Sequence, residues 1–132
     1  MYNDRQFLAI AEVVAEAAAC NRLSVGAIIV KDGRIISSGY NIAPAGKPTC
    51  KEVGCLHDKH GRCKRTVHAE QKAIIGCSDT KGATIYVTHY PCETCSNLIL
   101  EAGIERIVYL HHYPNEISDS ILKGMDVAQW SD

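Results

Sequence analysis

Two short stretches of this sequence carry residue types that can bind a metal ion and transfer protons. His68 and Glu70 lie two positions apart in "RTVHAEQKAI", and Cys92 and Cys95 lie three apart in "YPCETCSN". One imidazole and two thiolates form a ligand set of a catalytic zinc site, whose fourth position stays open for water. A carboxylate beside that water can take its proton and pass it on. We therefore predict His68, Cys92 and Cys95 as zinc ligands, and Glu70 as the catalytic acid–base residue.

Each of these features alone has a plainer interpretation. A single His among Ala and Val is usually a packed or surface residue, and Glu70 alone would be a solvated acid near a helix N-terminus. A lone C-x-x-C can be a redox motif, as in thioredoxin-like proteins, or half of a structural zinc site. The combination favours the metal, provided that His68 lies at the very start of its helix, because residues two apart on a regular helix point to different sides.

The elements that must position these residues follow from the apolar patterns. Apolar residues at helical spacing predict a first helix over 4–19 with Asp4 as a candidate N-cap. A Lys-Asp-Gly turn between two apolar runs predicts a β-hairpin, which makes the sheet mixed. Strands separated by helices imply parallel crossovers. The prediction is a three-layer α/β/α fold around a mixed five-stranded sheet, with strands at 24–30, 34–40, 84–90, 105–112 and 125–130 and further helices at 68–77, 92–102 and 116–124.

The bulk properties narrow the class of protein. The chain has 132 residues and a net charge of -1, which favours one domain over 1–132 and gives no sign of a nucleic-acid or membrane surface. No apolar run approaches the roughly 18 residues that span a bilayer, and the first ten residues lack the pattern of a signal peptide. These features favour a cytosolic or nuclear protein, and we predict a cytoplasmic location.

The motifs resemble those of a known superfamily. H-x-E followed by P-C-x-x-C is the signature of zinc-dependent nucleoside and nucleobase deaminases, and the element order is similar to theirs. Within that superfamily the chain looks most like the deoxycytidylate (dCMP) deaminases, through "CNRLSVGAIIV", "GYN", "VHAEQKAI" and "TIYVTHYPCETC". The resemblance implies a cytidine-deaminase-like fold, a catalytic Zn²⁺ and hydrolysis of dCMP to dUMP and ammonia for thymidylate synthesis. One departure is Ile42, where relatives commonly have Gly.

The resemblance also implies substrate contacts and partners. By resemblance, Tyr113 would lie near the 5′-phosphate and Asn41 would bond the sugar or base. By position and chemistry alone, Arg22 and Ser24 before a strand would donate to the phosphate, and His89 beside the zinc loop would pack on the base. A solvated Arg22, a plain turn role for Asn41 and a space-filling His89 remain open. Family habit implies a homo-oligomer, hexamer or dimer, and dCTP or dTTP as effectors.

Four of the remaining cysteines predict a second, structural zinc. The segment 41–65 has no clear periodicity and is long for a structureless loop, so something must hold it. Cys50, Cys55 and Cys63 lie in it and Cys20 ends the first helix, which makes the four ligands of a closed tetrahedral site. His57 or His60 could replace one cysteine, and free thiols are the alternative. Cys77 is interpreted as a small buried hydrophobe.

Other functions stay possible from the sequence. The chain could deaminate another free pyrimidine or purine, or tRNA adenosine, although the neutral charge argues weakly against an RNA substrate. A non-catalytic zinc-binding module is a further alternative, against which Glu70 speaks.

Overall fold

The computed structural model describes residues 2–19 and 23–131. Five helices and five strands alternate along these residues much as the patterns predict. The helices are α1 (Asp4–Ala15), α2 (Cys50–Val53), α3 (Ala69–Ile75), α4 (Glu93–Glu101) and α5 (Glu116–Ile121). The strands are β1 (Gly26–Lys31), β2 (Arg34–Tyr40), β3 (Thr84–His89), β4 (Arg106–His111) and β5 (Asp126–Gln129).

The strands form one mixed sheet in the order β2-β1-β3-β4-β5. Strand β1 runs antiparallel to both of its neighbours, whereas β3, β4 and β5 are parallel to one another. The predicted mixed five-stranded sheet is confirmed.

Two apolar clusters cover the two faces of the sheet and complete the three layers. Helix α1 packs Phe7, Leu8 and Ala11 against Ile28 and its neighbours on one face. The opposite face carries a larger cluster to which α3, α4 and the end of α5 contribute, through Ala69, Ala73, Ile99 and Leu122 among others. Helices on both faces bury the parallel strands, as such strands require.

The predicted hairpin is present and its turn has a simple cause. Lys31 pairs with Arg34, which leaves Asp32 and Gly33 as a two-residue turn with φ values of 53° and 76°. Positive φ at both positions gives the turn whose twist matches that of the strands, and Asp-Gly is a favoured pair for it.

Several element boundaries differ from the sequence-based expectation. Helix α1 ends at Ala15, not at residue 19, and Asn3 is its N-cap. Asp4 is therefore the first helical residue, and the prediction of Asp4 as the cap was wrong. The segment 41–65 is not wholly irregular, because Thr49 caps the short helix α2. Cys77 is half-buried and not a core residue.

Two glycines let helices lie directly on the sheet. A Cβ at Gly26 would come within 2.1 Å of the Ala11 carbonyl oxygen, and a Cβ at Gly39 within 2.3 Å of the Ala69 carbonyl oxygen. Such distances are inside van der Waals contact, so only glycine fits under α1 and α3.

No helix of the described residues is long and apolar enough to cross a membrane.

Candidate active site

The position of His68 meets the geometric demand that the sequence imposes. His68 is the N-cap of α3 with extended backbone, and its N–H donates to the Gln71 side chain at 2.9 Å. Its ring is thus displaced from the helical spacing that begins at Ala69. Both His68 and Glu70 line the same cleft, as a shared site requires.

Cys92 and Cys95 meet His68 at the start of α4. Cys92 is the N-cap of that helix and accepts from the Cys95 N–H. The Nδ1 of His68 lies 3.6 Å from the Cys92 sulfur and 3.3 Å from the Cys95 sulfur. Tetrahedral coordination by one nitrogen and two sulfurs places such atoms about 3.5 Å apart. All three ligand atoms lie within 4.8 Å of one another, so the donor set and the spacing fit one zinc ion.

The thiol of Cys92 is the more acidic of the two. Hydrogen bonds from the Cys95 thiol, from His68 and from the Cys95 backbone N–H lower the pKa of Cys92 to about 4. A helix N-terminus favours the same anionic sulfur. Cys92 is therefore a thiolate at neutral pH, the form in which cysteine binds a metal.

Glu70 is a buried carboxyl beside these ligands. It is 4% exposed, and burial raises its pKa above the ordinary range. The described residues place no lysine or arginine in an ion pair with it. A buried carboxyl of raised pKa can both accept and return a proton.

The cleft above these groups has a volume of about 670 Å³, within the size range of small-ligand sites. Of the predicted substrate-binding residues, Asn41, His89 and Tyr113 line it. Ser24 is exposed and does not, although Leu23 and Val25 on either side of it do. Arg22 and Cys20 lie outside the described residues.

Asn41 has structural partners that the sequence does not indicate. Its side-chain oxygen accepts from the Val25 N–H at 2.7 Å, and its amide donates to the Leu23 carbonyl at 2.6 Å. The residue is 7% exposed. Asn41 thus fixes the segment 23–25 against the cleft, whatever else it contacts.

His89 belongs to a row of rings at one side of the cleft. The ring centroids of His111 and Tyr113 lie 4.8 and 6.0 Å from that of His89. Burial, with a smaller contribution from His111, lowers the pKa of His89. The ring is therefore neutral at physiological pH and has one N–H to offer.

Thr88 determines which ring nitrogen carries that hydrogen. The buried Thr88 hydroxyl accepts from the Gly26 N–H at 3.2 Å and lies 2.8 Å from His89 Nδ1. Since His89 is the acceptor in reach of that hydroxyl among the described residues, we assign the hydroxyl hydrogen to Nδ1. The ring hydrogen of His89 is then on Nε2.

A second group of thiols lies in the segment 41–65. The sulfurs of Cys50 and Cys63 are 3.5 Å apart, and Cys55 places its sulfur within 4.8 Å of both. Burial alone would raise the pKa of Cys63, but hydrogen bonds from the backbone of Arg65 and Leu56 and from the Cys50 and Cys55 thiols together lower it to about 7. Burial raises the pKa of Cys50 to about 12. Three of the four predicted ligands of the second site are thus together.

Sequence reasoning missed two basic residues of the cleft. Arg62 and Lys64 line it together with His68 and Glu70. The available signal was their position on either side of Cys63 in "GRCKR", a residue already predicted to anchor the segment.

The fold and the ligand set are those of the cytidine-deaminase-like class. The family model for the cytidine and deoxycytidylate deaminase zinc-binding region matches residues 1–111. The chain therefore belongs to the cytidine and deoxycytidylate deaminase family.

Relatives and solved structures agree with this assignment. ComE operon protein 2 of Bacillus subtilis (strain 168) is 47% identical over 115 residues, which are 83% of this chain but 60% of that protein. The deoxycytidylate deaminase of Mycobacterium phage D29 is 44% identical over 118 residues, 80% of this chain and 92% of the phage protein. The crystal structure of dCMP deaminase from cyanophage S-TIM5 in complex with dCMP and dUMP superposes with a TM-score of 0.81 at 30% identity, and covers 98% of this chain and 99% of that one.

Proposed function

We propose that this chain hydrolyses dCMP to dUMP and ammonia and so supplies dUMP for thymidylate synthesis. The observation that carries the proposal is the burial of Glu70 in the same cleft as the three candidate zinc ligands. A zinc module without turnover has no use for an acid there. The 44% identity to a phage protein named deoxycytidylate deaminase supports dCMP as the substrate.

His68, Cys92 and Cys95 would hold the catalytic zinc. When bound there, zinc supplies Lewis acidity that lowers the pKa of a water molecule from about 15.7 to about 7. The Cys92 thiolate and the helix start that stabilises it prepare the site for a cation.

Glu70 is the proton carrier of the reaction. Attack of water at the 4-carbon of cytosine releases a proton, and the departing amine needs one to leave as ammonia. A buried carboxyl of raised pKa can take the proton from water, pass it to the ring nitrogen and deliver a proton to the amine. The balance is dCMP plus water giving dUMP plus ammonia, with Glu70 regenerated.

The substrate would lie in the cleft between His89 and Asn41. His89 offers an Nε2 hydrogen and an apolar ring face, and Tyr113 is 49% exposed and lines the cleft. Asn41 would contact the sugar or base through the hydrogen-bonding positions of its side-chain amide that Leu23 and Val25 do not occupy. Ser24 and Arg22 remain predicted phosphate contacts, and for Ser24 the contact would require movement of an exposed side chain into the cleft.

A second zinc would have a structural role. Cys50, Cys55 and Cys63 supply three ligands, and we propose Cys20, or His57 or His60, as the fourth. The 3.5 Å between two of the sulfurs is near the about 3.8 Å of a tetrahedral site. Cysteines in a reducing compartment bind metal more often than they form disulfides, so this proposal goes with a cytoplasmic location.

We further propose that residues 1–132 form one domain that assembles as a hexamer or dimer under control of dCTP and dTTP. Exposed apolar side chains, among them Val13 at 64%, Ile75 at 77% and Ile117 at 60%, support association. Light scattering of the purified protein, with and without each nucleotide, tests the assembly.

The function is tested by incubating the purified protein separately with dCMP, dCTP, cytidine and deoxycytidine and measuring ammonia. We expect turnover of dCMP well above that of the nucleosides. Turnover of nucleosides alone would retain the deaminase chemistry and reject the phosphate contact. Turnover of none, with zinc bound, would reject the proposal and favour another base or tRNA adenosine as substrate.

A further inference from the structure

The segment that carries Cys63 also carries two cations into the cleft. Arg62 and Lys64 flank Cys63 in sequence. Cys63 forms a β-bridge with His57, and its sulfur lies 3.5 Å from that of Cys50. Arg62 and Lys64 line the cleft together with Cys63 itself, so one short segment joins the cysteine cluster to both cations.

Hydrogen bonds hold this segment in place on both sides of the cation pair. Asp58 accepts from the backbone N–H groups of His60 and Arg62 at 2.8 and 3.0 Å. Lys64 donates its N–H to the Leu56 carbonyl at 2.7 Å, and Arg65 donates its side chain to the Gly54 carbonyl at 2.9 Å. The backbone under Arg62 and Lys64 is therefore fixed, while both side chains are exposed.

Among the described residues, neither cation forms a close ion pair with a carboxylate of the cleft wall. Lys64 makes a long contact of 3.8 Å with Asp58. Glu93 also lies on the cleft wall. The main cause of its lowered pKa is the hydrogen bond from Asn115, and Arg62 and Lys64 make smaller electrostatic contributions. Asn115 bonds that carboxylate at 2.9 Å, so neither cation is needed as its hydrogen-bond partner. Arg62 and Lys64 line the same cleft as Thr66 and His68. Two exposed cations in a cleft favour the binding of a dianion there.

We propose that Arg62 and Lys64 bind the 5′-phosphate of the nucleotide, and that the Cys50–Cys55–Cys63 cluster positions them. The inference rests on the proposed function and names the substrate contact that the sequence did not indicate. Arg62 and Lys64 contact the substrate, whereas the cysteines are positioning residues. Loading of the cluster with a metal ion would then set the affinity for nucleotide, and the cluster would have a role in binding beyond stability.

Steady-state kinetics of R62A and K64A with dCMP test the contact. The control is K59A, which removes the same charge from an exposed position of the same segment outside the cleft. We expect KM for dCMP to rise about 10- to 100-fold in R62A and K64A, as for loss of a hydrogen bond to a charged group, with kcat within about 3-fold and K59A unchanged. Loss of uniform binding affects KM and not kcat. An unchanged KM, or a fall in kcat alone, would overturn the proposal.

Inorganic phosphate distinguishes the phosphate from the rest of the nucleotide. Phosphate should inhibit the wild type competitively with dCMP and inhibit R62A and K64A about tenfold less. Equal inhibition of all variants would overturn the assignment. If the wild type does not turn over dCMP at all, the proposed function fails, and the result is distinct from an unchanged KM in an active enzyme.

The positioning role is tested with C50S, because Cys50 is buried and does not line the cleft, and C77S is the thiol control outside both clusters. C50S should show a raised KM for dCMP, a kcat within about 3-fold and a raised inhibition constant for phosphate, whereas C77S should match the wild type. Equal loss of kcat and of thermal stability with an unchanged KM would show that the cluster only stabilises the fold.

Discussion

Asp4 and Arg106 join the first helix to the fourth strand by two hydrogen bonds, of 2.9 and 2.7 Å, across 102 positions of sequence. The Tyr86 hydroxyl donates to the same carboxylate at 2.6 Å. Both side chains of the ion pair are only about 30% exposed, at 28% and 31%. A bidentate ion pair of this kind fixes the helix on one face of the sheet more specifically than apolar packing alone.

The pair predicts a loss of stability in acid. The hydrogen bonds from Arg106 lower the pKa of Asp4 from its ordinary 3.8. The carboxylate therefore stabilises the fold above the unfolded-state pKa, and this contribution is lost as the pH falls from there through the lowered folded-state pKa. Urea unfolding at pH 7 should show D4N about 1–2 kcal/mol less stable than the wild type, and the difference should shrink as the pH falls below 3.8, the ordinary pKa of this carboxyl.

The control for this pair is D126N. Asp126 lies 3.5 Å from the same guanidinium but is 65% exposed, so its loss should cost less than about 0.5 kcal/mol. A D4N difference that stayed constant from pH 7 to pH 3 would contradict the ion-pair explanation.

Such long-range contacts could not be predicted from the sequence. The helices capped by His68 and Cys92 and the hairpin at Asp32–Gly33 were predictable, because each is encoded by neighbouring residues. Asp4 was predicted as a cap, since Asp favours that position, yet Asn3 takes it and leaves Asp4 for a partner on a distant strand. Local pattern carries no information on that partner.

The same lack of long-range information explains why only some residues of the cleft could be predicted from the sequence. The H-x-E and P-C-x-x-C spacings indicated the candidate ligands because metal chemistry restricts residue type and separation together. Arg62 and Lys64 have no such restriction, and a basic residue in a polar segment is usually solvated. Only the fold of the Cys63 segment places them on the cleft wall.

Substitution of Glu70 should separate chemistry from metal binding. E70Q keeps the shape and removes the proton carrier, so kcat for dCMP should fall at least about 100-fold while zinc content is unchanged. The measurement is ammonia release with elemental analysis of the same samples. E101Q, at the exposed end of α4, should match the wild type. Retained turnover in E70Q would remove Glu70 from the mechanism.

The second metal site predicts a zinc count. Elemental analysis of the wild type should give two zinc ions per chain, and C50S should give one while the catalytic zinc remains. C77S should keep both, because Cys77 belongs to neither cluster among the described residues. A count of one in the wild type would reject the structural zinc.

Thr88 predicts the tautomer of His89. In T88V the Gly26 N–H loses its side-chain acceptor and Nδ1 loses its neighbour, so the fold should lose about 1–3 kcal/mol and the ring hydrogen should no longer be confined to Nε2. Nitrogen chemical shifts of the His89 ring report the tautomer directly. T84V, at the opposite end of the same strand, should leave those shifts unchanged. Identical His89 shifts in T88V and the wild type would contradict the assigned hydrogen bond.

The close contact between Gly39 and α3 predicts that a larger side chain at this position would displace the helix that carries Glu70. In G39A the new methyl group would meet the Ala69 carbonyl oxygen at 2.3 Å and the Ala73 nitrogen at 2.7 Å, so α3 must move away from the sheet. We expect a loss of about 2–3 kcal/mol in unfolding free energy and a fall in kcat. G76A meets its nearest atom at 3.3 Å and should change stability by less than about 1 kcal/mol. A G39A variant with wild-type activity would show that α3 can shift without moving Glu70.

Gly39 also sets a condition for transferring this chemistry to another scaffold. Glu70 lies in the first turn of α3, and the distance of this helix from the sheet is determined by the absence of a side chain at Gly39 on the strand beneath it. Grafting the histidine, the glutamate and the two cysteines onto a sheet with any larger residue at that point would move the carboxylate away from the residues that would hold the zinc. A designer would need to copy the strand glycine before copying the catalytic residues.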